Sequence, residues 1–468
     1  MNFMILDLIL LAIFLIAIVT FLIVKRKNLK KEGLLFLYKT SWGIKIIKKV
    51  GGKHKKLFRI LSHISIWLGY ALMAGMLYLF GKILWLYLFN ADAVRAIKVP
   101  PVMPLIPYLP QIFKLDFLPP FYFTYWIIIL AVIAITHEFF HGIFAATSNV
   151  KTKKTGFGFF PFFLPVFLAA FVELDEKSME KKSNFSQRAV LSAGTFANML
   201  TALIGVLLLW GFFAAAFTPA GVVFDDYGST VQNVSSITMI NGIALSNPSY
   251  AQISLLIKSE NNTIYINNQE FTKIRGFSKD KTLIALYYES PALKAGLYGP
   301  IVAINNVEVN NLESFKTELS RYSPGDPVTI TTIVNKEEKD YNLFLEENPI
   351  EEDKTWLGIV FYESNGGVVS SIIAFFSSYK EPHVYYEPKV EWFQFIYDLL
   401  WWLILISLSV ALVNMLPMGI FDGGRFFYLT ILAITKKPKV AEKSFKWITA
   451  ILLALVILIM IFWVKGMI

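Results

Sequence analysis

The chain has 468 residues, of which 55% are apolar and only 17% charged, whereas a water-soluble chain carries about a quarter charged residues. This composition excludes a disordered protein, argues against an ordinary cytosolic enzyme, and makes membrane insertion the default. The absence of cysteine excludes disulfides, cysteine-bound zinc and thiol catalysis, and the net charge of +10 has to be read by position.

Six apolar runs follow one another along the chain: Ile5–Val24, Ile60–Phe89, Phe123–Ala146, Ala189–Phe217, Trp392–Leu416 and Phe445–Val464. Each approaches or exceeds the ~20 residues needed to cross a ~30 Å hydrocarbon layer. They predict a polytopic α-helical membrane protein with about six transmembrane helices. The first run is followed, not preceded, by Lys25-Arg26-Lys27, the reverse of a signal peptide, so it reads as a retained anchor. Between the first two runs, residues 25–59 hold 13 Lys/Arg and one acid, Glu32. Short basic loops stay on the cytoplasmic side. The lysines after the third run (Lys151, Lys153, Lys154) and after the fifth (Lys436, Lys437, Lys439) obey the same alternation. The expected location is therefore a cell membrane, multi-pass, with both termini and segment 218–391 extracytoplasmic. Positive charge that tracks the spans points to the lipid bilayer as partner and argues against nucleic acid.

Segment 218–391 changes pattern, to short alternating stretches separated by turns. Val302–Ile304, Val328–Val334 and Leu357–Phe361 read as strands, and Leu312–Arg321 as a short amphipathic helix. Ser290-Pro291-Ala292-Leu293-Lys294-Ala295-Gly296-Leu297, then Ile304-Asn305-Asn306-Val307 and Pro324-Gly325-Asp326, resemble the bacterial-type PDZ pattern. That resemblance implies recognition of a peptide or substrate tail added as an extra strand. An earlier stretch, Ile237–Asn247, repeats the frame of Ile301–Asn311. It is either a second, divergent module or an unrelated strand-turn segment of similar composition.

The third run contains His137-Glu138-Phe139-Phe140-His141. Residues four apart share a helix face, so two imidazoles can hold one tetrahedral zinc with Glu138 beside them. Polar groups within a span are costly and usually functional. A catalytic zinc takes three protein ligands and keeps one open position. His54, His63 and His383 read as ordinary solvated or packed histidines. Asp422, in Asn414-Met415-Leu416-Pro417-Met418-Gly419-Ile420-Phe421-Asp422-Gly423-Gly424, is the candidate third ligand, where Pro417 and the glycines are expected to loosen the helix. Asp398, in the fifth run, is the main ionisable group this scheme leaves over, and it reads as a polar group near the outer interface.

Together, HExxH and Asn-x-x-Pro-x-x-x-x-Asp-Gly resemble the site-two protease family of intramembrane zinc metalloproteases. Ala193-Gly194-Thr195-Phe196-Ala197-Asn198 is similar to the family's Ala-Gly-Pro-x-x-Asn, with Thr195 in place of the proline. Phe159–Asp175 resembles the membrane-dipping β-loop that follows the HExxH helix. The resemblance implies one catalytic Zn²⁺ on His137, His141 and Asp422, Glu138 as general base, and Asn198 and Asn414 on the substrate backbone or oxyanion. Single-span membrane proteins would be the substrates, cut within their transmembrane segment. It also implies a division into 1–120 (two accessory spans with a basic cytoplasmic loop), 121–217 (first part of the catalytic core), 218–391 (the PDZ-like insert), 392–430 (second part of the core) and 431–468 (a C-terminal span). The competing reading is a membrane metal transporter, or a metal-binding protein without proteolytic activity, which would need further intramembrane ligands.

Overall fold

The computed structural model describes the whole chain except residues 1–2, 33–34, 91–102, 116, 160–167, 259–261, 268, 350, 352–353, 363–370, 372–373, 375 and 468. It separates into two compact units, one of residues 1–211 with 394–468 and one of residues 212–393.

The first unit is helical. Its helices of ten residues or more are α1 (Phe3–Val24), α2 (Ile44–Lys53), α3 (Lys55–Phe89), α4 (Phe123–Thr147), α5 (Asn184–Ala216), α6 (Phe393–Asn414), α7 (Asp422–Thr435) and α8 (Pro438–Met467). Six of these, all but α2 and α7, are long and apolar enough to cross a membrane. Their outward faces stay apolar, as Ile13 and Ile16 of α1 and Leu203 and Leu207 of α5 illustrate. A lipid-facing surface needs no polar coat.

The N-terminal elements are bound into the core. Asp7 of α1 is fully buried and accepts from Tyr108 Oη at 2.6 Å, Phe123 N at 2.8 Å and Thr124 N at 2.9 Å. Thr124 Oγ1 donates to it as well. A carboxylate from one helix thus caps the first turn of α4, satisfying donors that the helix itself cannot.

The basic stretch after α1 is more ordered than a loop. It forms β1 (Leu29–Glu32) and β2 (Leu35–Thr40), which join β3 (Thr152–Phe159) and β4 (Leu168–Leu174) in an antiparallel sheet ordered β1-β2-β3-β4. The expected β-loop is therefore two strands of a four-stranded sheet, with its tip outside the described residues. Next, α2 presses fully buried Ile47 onto Gly142 of α4, where a Cβ would collide with that isoleucine. The core of this unit joins Ile143, Phe144 and Ala145 of α4, Val190 and Ala193 of α5, Met415 and Phe426.

The second unit is β-rich and internally repeated. The pairs Met239–Ile240/Ile243–Ala244 and Ile301–Ile304/Val307–Glu308 are both hairpins with two left-handed turn residues, Asn241-Gly242 and Asn305-Asn306. In each, the first asparagine bridges to a threonine in the same way. Asn241 Oδ1 accepts from Thr263 N at 3.0 Å, and Asn305 Oδ1 from Thr329 N at 2.8 Å. Each hairpin is followed by a helix with a capping box, Tyr250–Leu256 or Leu312–Leu319, and then by a second antiparallel hairpin. Ile240 pairs with Ile264 as Ile304 pairs with Ile330. Each copy has its own buried core, one around Ile240, Ile253 and Ile264 and the other around Ile304, Phe315 and Ile330. The strand expected at Leu357–Phe361 is shorter than its pattern, Ile359–Val360, paired with Asp226–Tyr227.

Candidate metal centre

His137 and His141 lie one turn apart on α4, and their Nε2 atoms approach to 3.1 Å. Asp422, the first residue of α7, brings Oδ2 to 3.3 Å from each of them. Zinc bonds of about 2.0–2.1 Å in tetrahedral geometry separate neighbouring ligand atoms by roughly 3.3 Å. The three side chains therefore fit such an ion with no rearrangement. Among the described residues this is the one cluster of three metal-capable groups.

The ring nitrogens that face away from this point are also engaged. His141 Nδ1 donates to the Val190 carbonyl at 2.6 Å, which leaves Nε2 as the lone-pair donor. His137 Nδ1 lies 3.1 Å from the side-chain amide of Asn198, which is fully buried on α5. With its nitrogen toward the ring, Asn198 leaves Oδ1 buried without a partner. Turned about, the amide oxygen accepts the Nδ1 proton and frees His137 Nε2 in the same way. Asn198 is thus placed to orient a histidine.

Close packing explains the small residues nearby. A Cβ on Gly194 would overlap His137 Cε1 and the Nε2 atoms of both histidines. Thr195, which stands where the resembled motif has proline, donates to the Ser192 carbonyl at 2.8 Å within a continuous α5. Gly423 and Gly424 do not loosen the helix as expected from the sequence. A Cβ on either would strike backbone, at Met415 and Leu416 for Gly423 and at Met418 for Gly424. The turn Met415–Phe421 folds back on the first turn of α7, and only glycine permits that approach. Asn414 ends α6, half-buried, at the start of this turn.

Glu138 points to the sheet. Its Oε2 accepts from Val172 N of β4 at 2.8 Å. Since β4 is an end strand paired only with β3, its outer edge faces the HExxH helix. Asp398 is buried: Gln394 donates to it at 2.8 Å and Tyr125 Oη lies 3.5 Å away. His63 packs against Phe185 with their rings tilted, and His383 lies 3.4 Å from Asp225.

The sequence model of peptidase family M50 matches residues 125–459, well over half of the chain. The chain belongs to peptidase family M50. This is the family of site-two proteases that the two motifs resemble. The M50 match takes in His137, Glu138, His141, Asn198 and Asp422 together, and it leaves α1, α2 and α3 outside. A comparison with curated proteins finds no match.

Proposed function

We propose that this M50 peptidase is a zinc-dependent intramembrane protease, which hydrolyses a peptide bond within the transmembrane segment of a single-span substrate. The observation that carries the reading is the set of three ligand atoms, 3.1–3.3 Å apart, two on α4, a helix of membrane-crossing composition, and one at the start of α7. One Zn²⁺ held by His137, His141 and Asp422 would acidify a water in its open position and polarise the scissile carbonyl.

Glu138 takes the proton of the attacking water and returns it to the leaving amide nitrogen. Val190 and Asn198 hold the two imidazoles in the ligating tautomer. Asn414, at the helix end, is the candidate for binding substrate backbone or oxyanion. A helical substrate must unwind before its amide can be cut, because its carbonyls are already hydrogen-bonded. The outer edge of β4, with Val172 beside Glu138, is suited to receive that unwound strand. A metal transporter would need further ligands along a path, and the single cluster among the described residues favours hydrolysis.

The reading places both termini and residues 218–391 on the extracytoplasmic side of a cell membrane, with the bilayer as solvent. The β-rich unit is taken as two PDZ-like modules that bind the substrate's outer tail. In the second module, Gly358 and Val360 carbonyls accept from Gly228 N and Asp225 N. Strand alternation then turns the backbone groups of Ile359 and Phe361 to the opposite edge, where a peptide strand can add.

The test uses purified protein and a single-span substrate tagged at both ends. Wild type should carry one zinc and cut, lose activity to a chelator, and regain it with zinc. Asp422→Ala should lose both zinc and cleavage. Zinc bound equally by both proteins, with no cut product from a panel of substrates, would favour the metal-binding alternative.

A further inference from the structure

At the end of α4 farthest from Asp7 lies an open cavity of about 280 Å³, lined by Lys48 of α2, Lys55 of α3, and Asn149, Lys151 and Thr152 after α4. Lys55 opens α3, and Asn149 follows α4, both helices of membrane-crossing length. Lys55 Nζ donates 3.0 Å to Asn149 Oδ1, so the two helix ends are level with one another. On the membrane reading above, the cavity therefore sits where both helices leave the apolar layer, at the depth of lipid phosphates.

Its charge is one-sided. No acidic residue lines it, and among the described residues none of Lys48, Lys55 and Lys151 is in an ion pair. Neighbouring lysines are treated differently: Lys39 contacts Glu32 and Glu173, each at 2.8 Å, and Lys153 contacts Asp175 at 3.2 Å. Thr152, only 3% exposed, keeps Oγ1 buried without a hydrogen-bond partner while lining the same cavity. Three uncompensated ammonium groups around an open space are a donor set for a phosphate group.

We infer that this cavity binds the phosphate of an anionic membrane lipid, a monoanionic phosphodiester such as phosphatidylglycerol. One lipid would tie α2, α3 and the segment after α4 together behind the HExxH helix, where Ile47 already packs on Gly142.

Native mass spectrometry of the full-length protein, released from detergent with phosphatidylglycerol or phosphatidylcholine, tests this independently of proteolysis. Wild type should retain phosphatidylglycerol and not phosphatidylcholine. The triple substitution Lys48→Gln, Lys55→Gln, Lys151→Gln should weaken retention about 5-fold per lysine, on the order of 100-fold together. A control triple of equal charge change, Lys30→Gln, Lys31→Gln, Lys437→Gln, should retain the lipid. Equal loss in both triples would replace the site with a diffuse basic surface and overturn the proposal. Displacement of the lipid by inorganic phosphate would reassign the cavity to a soluble phosphate compound. Unchanged zinc content and thermal unfolding in the variants separate lost binding from lost folding.

Discussion

The metal centre draws on two kinds of structure. His137 and His141 come from one turn of a single helix, whereas Asp422 opens another helix late in the chain. On α4 the spacing alone makes the pair, because residues i and i+4 share a face. The carboxylate needs tertiary contacts: Gly423 and Gly424 against the backbone of the Met415–Phe421 turn, and Gly69 of α3, where a Cβ would come within 3.1–3.4 Å of Met415, Ser192 and Phe426. One half of the site is a local motif and the other is a packing solution.

Substitutions break that pairing with graded force. The largest effect belongs to Gly194→Ala, whose methyl would occupy the space of both Nε2 atoms. Zinc analysis should find the metal lost to background although every ligand is intact. Glu138→Gln should keep full zinc and lower cleavage about 10²–10⁴-fold, the range for a general base. Retained activity in that variant would remove Glu138 from the mechanism. Gly423→Ala should cost about 1–3 kcal/mol by forcing a methyl onto backbone, seen as a lower unfolding temperature together with weakened zinc. Asn198→Ala should weaken zinc about 10–100-fold, as expected for a group that orients a ligand. The smallest effect on the metal belongs to Asp7→Asn, which loses the charged cap of α4 at about 2 kcal/mol of stability and leaves zinc stoichiometry alone.

Much of this was legible in the sequence, for identifiable reasons. Polar groups stand out in an apolar run, so His137, Glu138 and His141 were visible at once. The repeated Ile-Asn turn was visible because a two-residue hairpin demands left-handed residues, and Asn241 and Asn305 supply them. Other features depended on partners far along the chain. Strand β2 pairs with β3 across more than a hundred residues, and its basic surroundings made this short stretch read as a loop. The role of Asp7 was not legible, since nothing local announces a cap donated to another helix. Gly423 and Gly424 suggested freedom of the backbone, but their contacts show that they serve close approach.

The most direct measurement is X-ray absorption at the zinc edge on the purified protein, wild type against Asp422→Ala. The account predicts a four-coordinate ion in wild type with two imidazoles and two oxygen ligands at about 2.0–2.1 Å. In Asp422→Ala either the metal is absent or one oxygen scatterer is replaced. Identical spectra from the two proteins, or a zinc without two imidazoles, would contradict the joining of α4 and α7 at one metal.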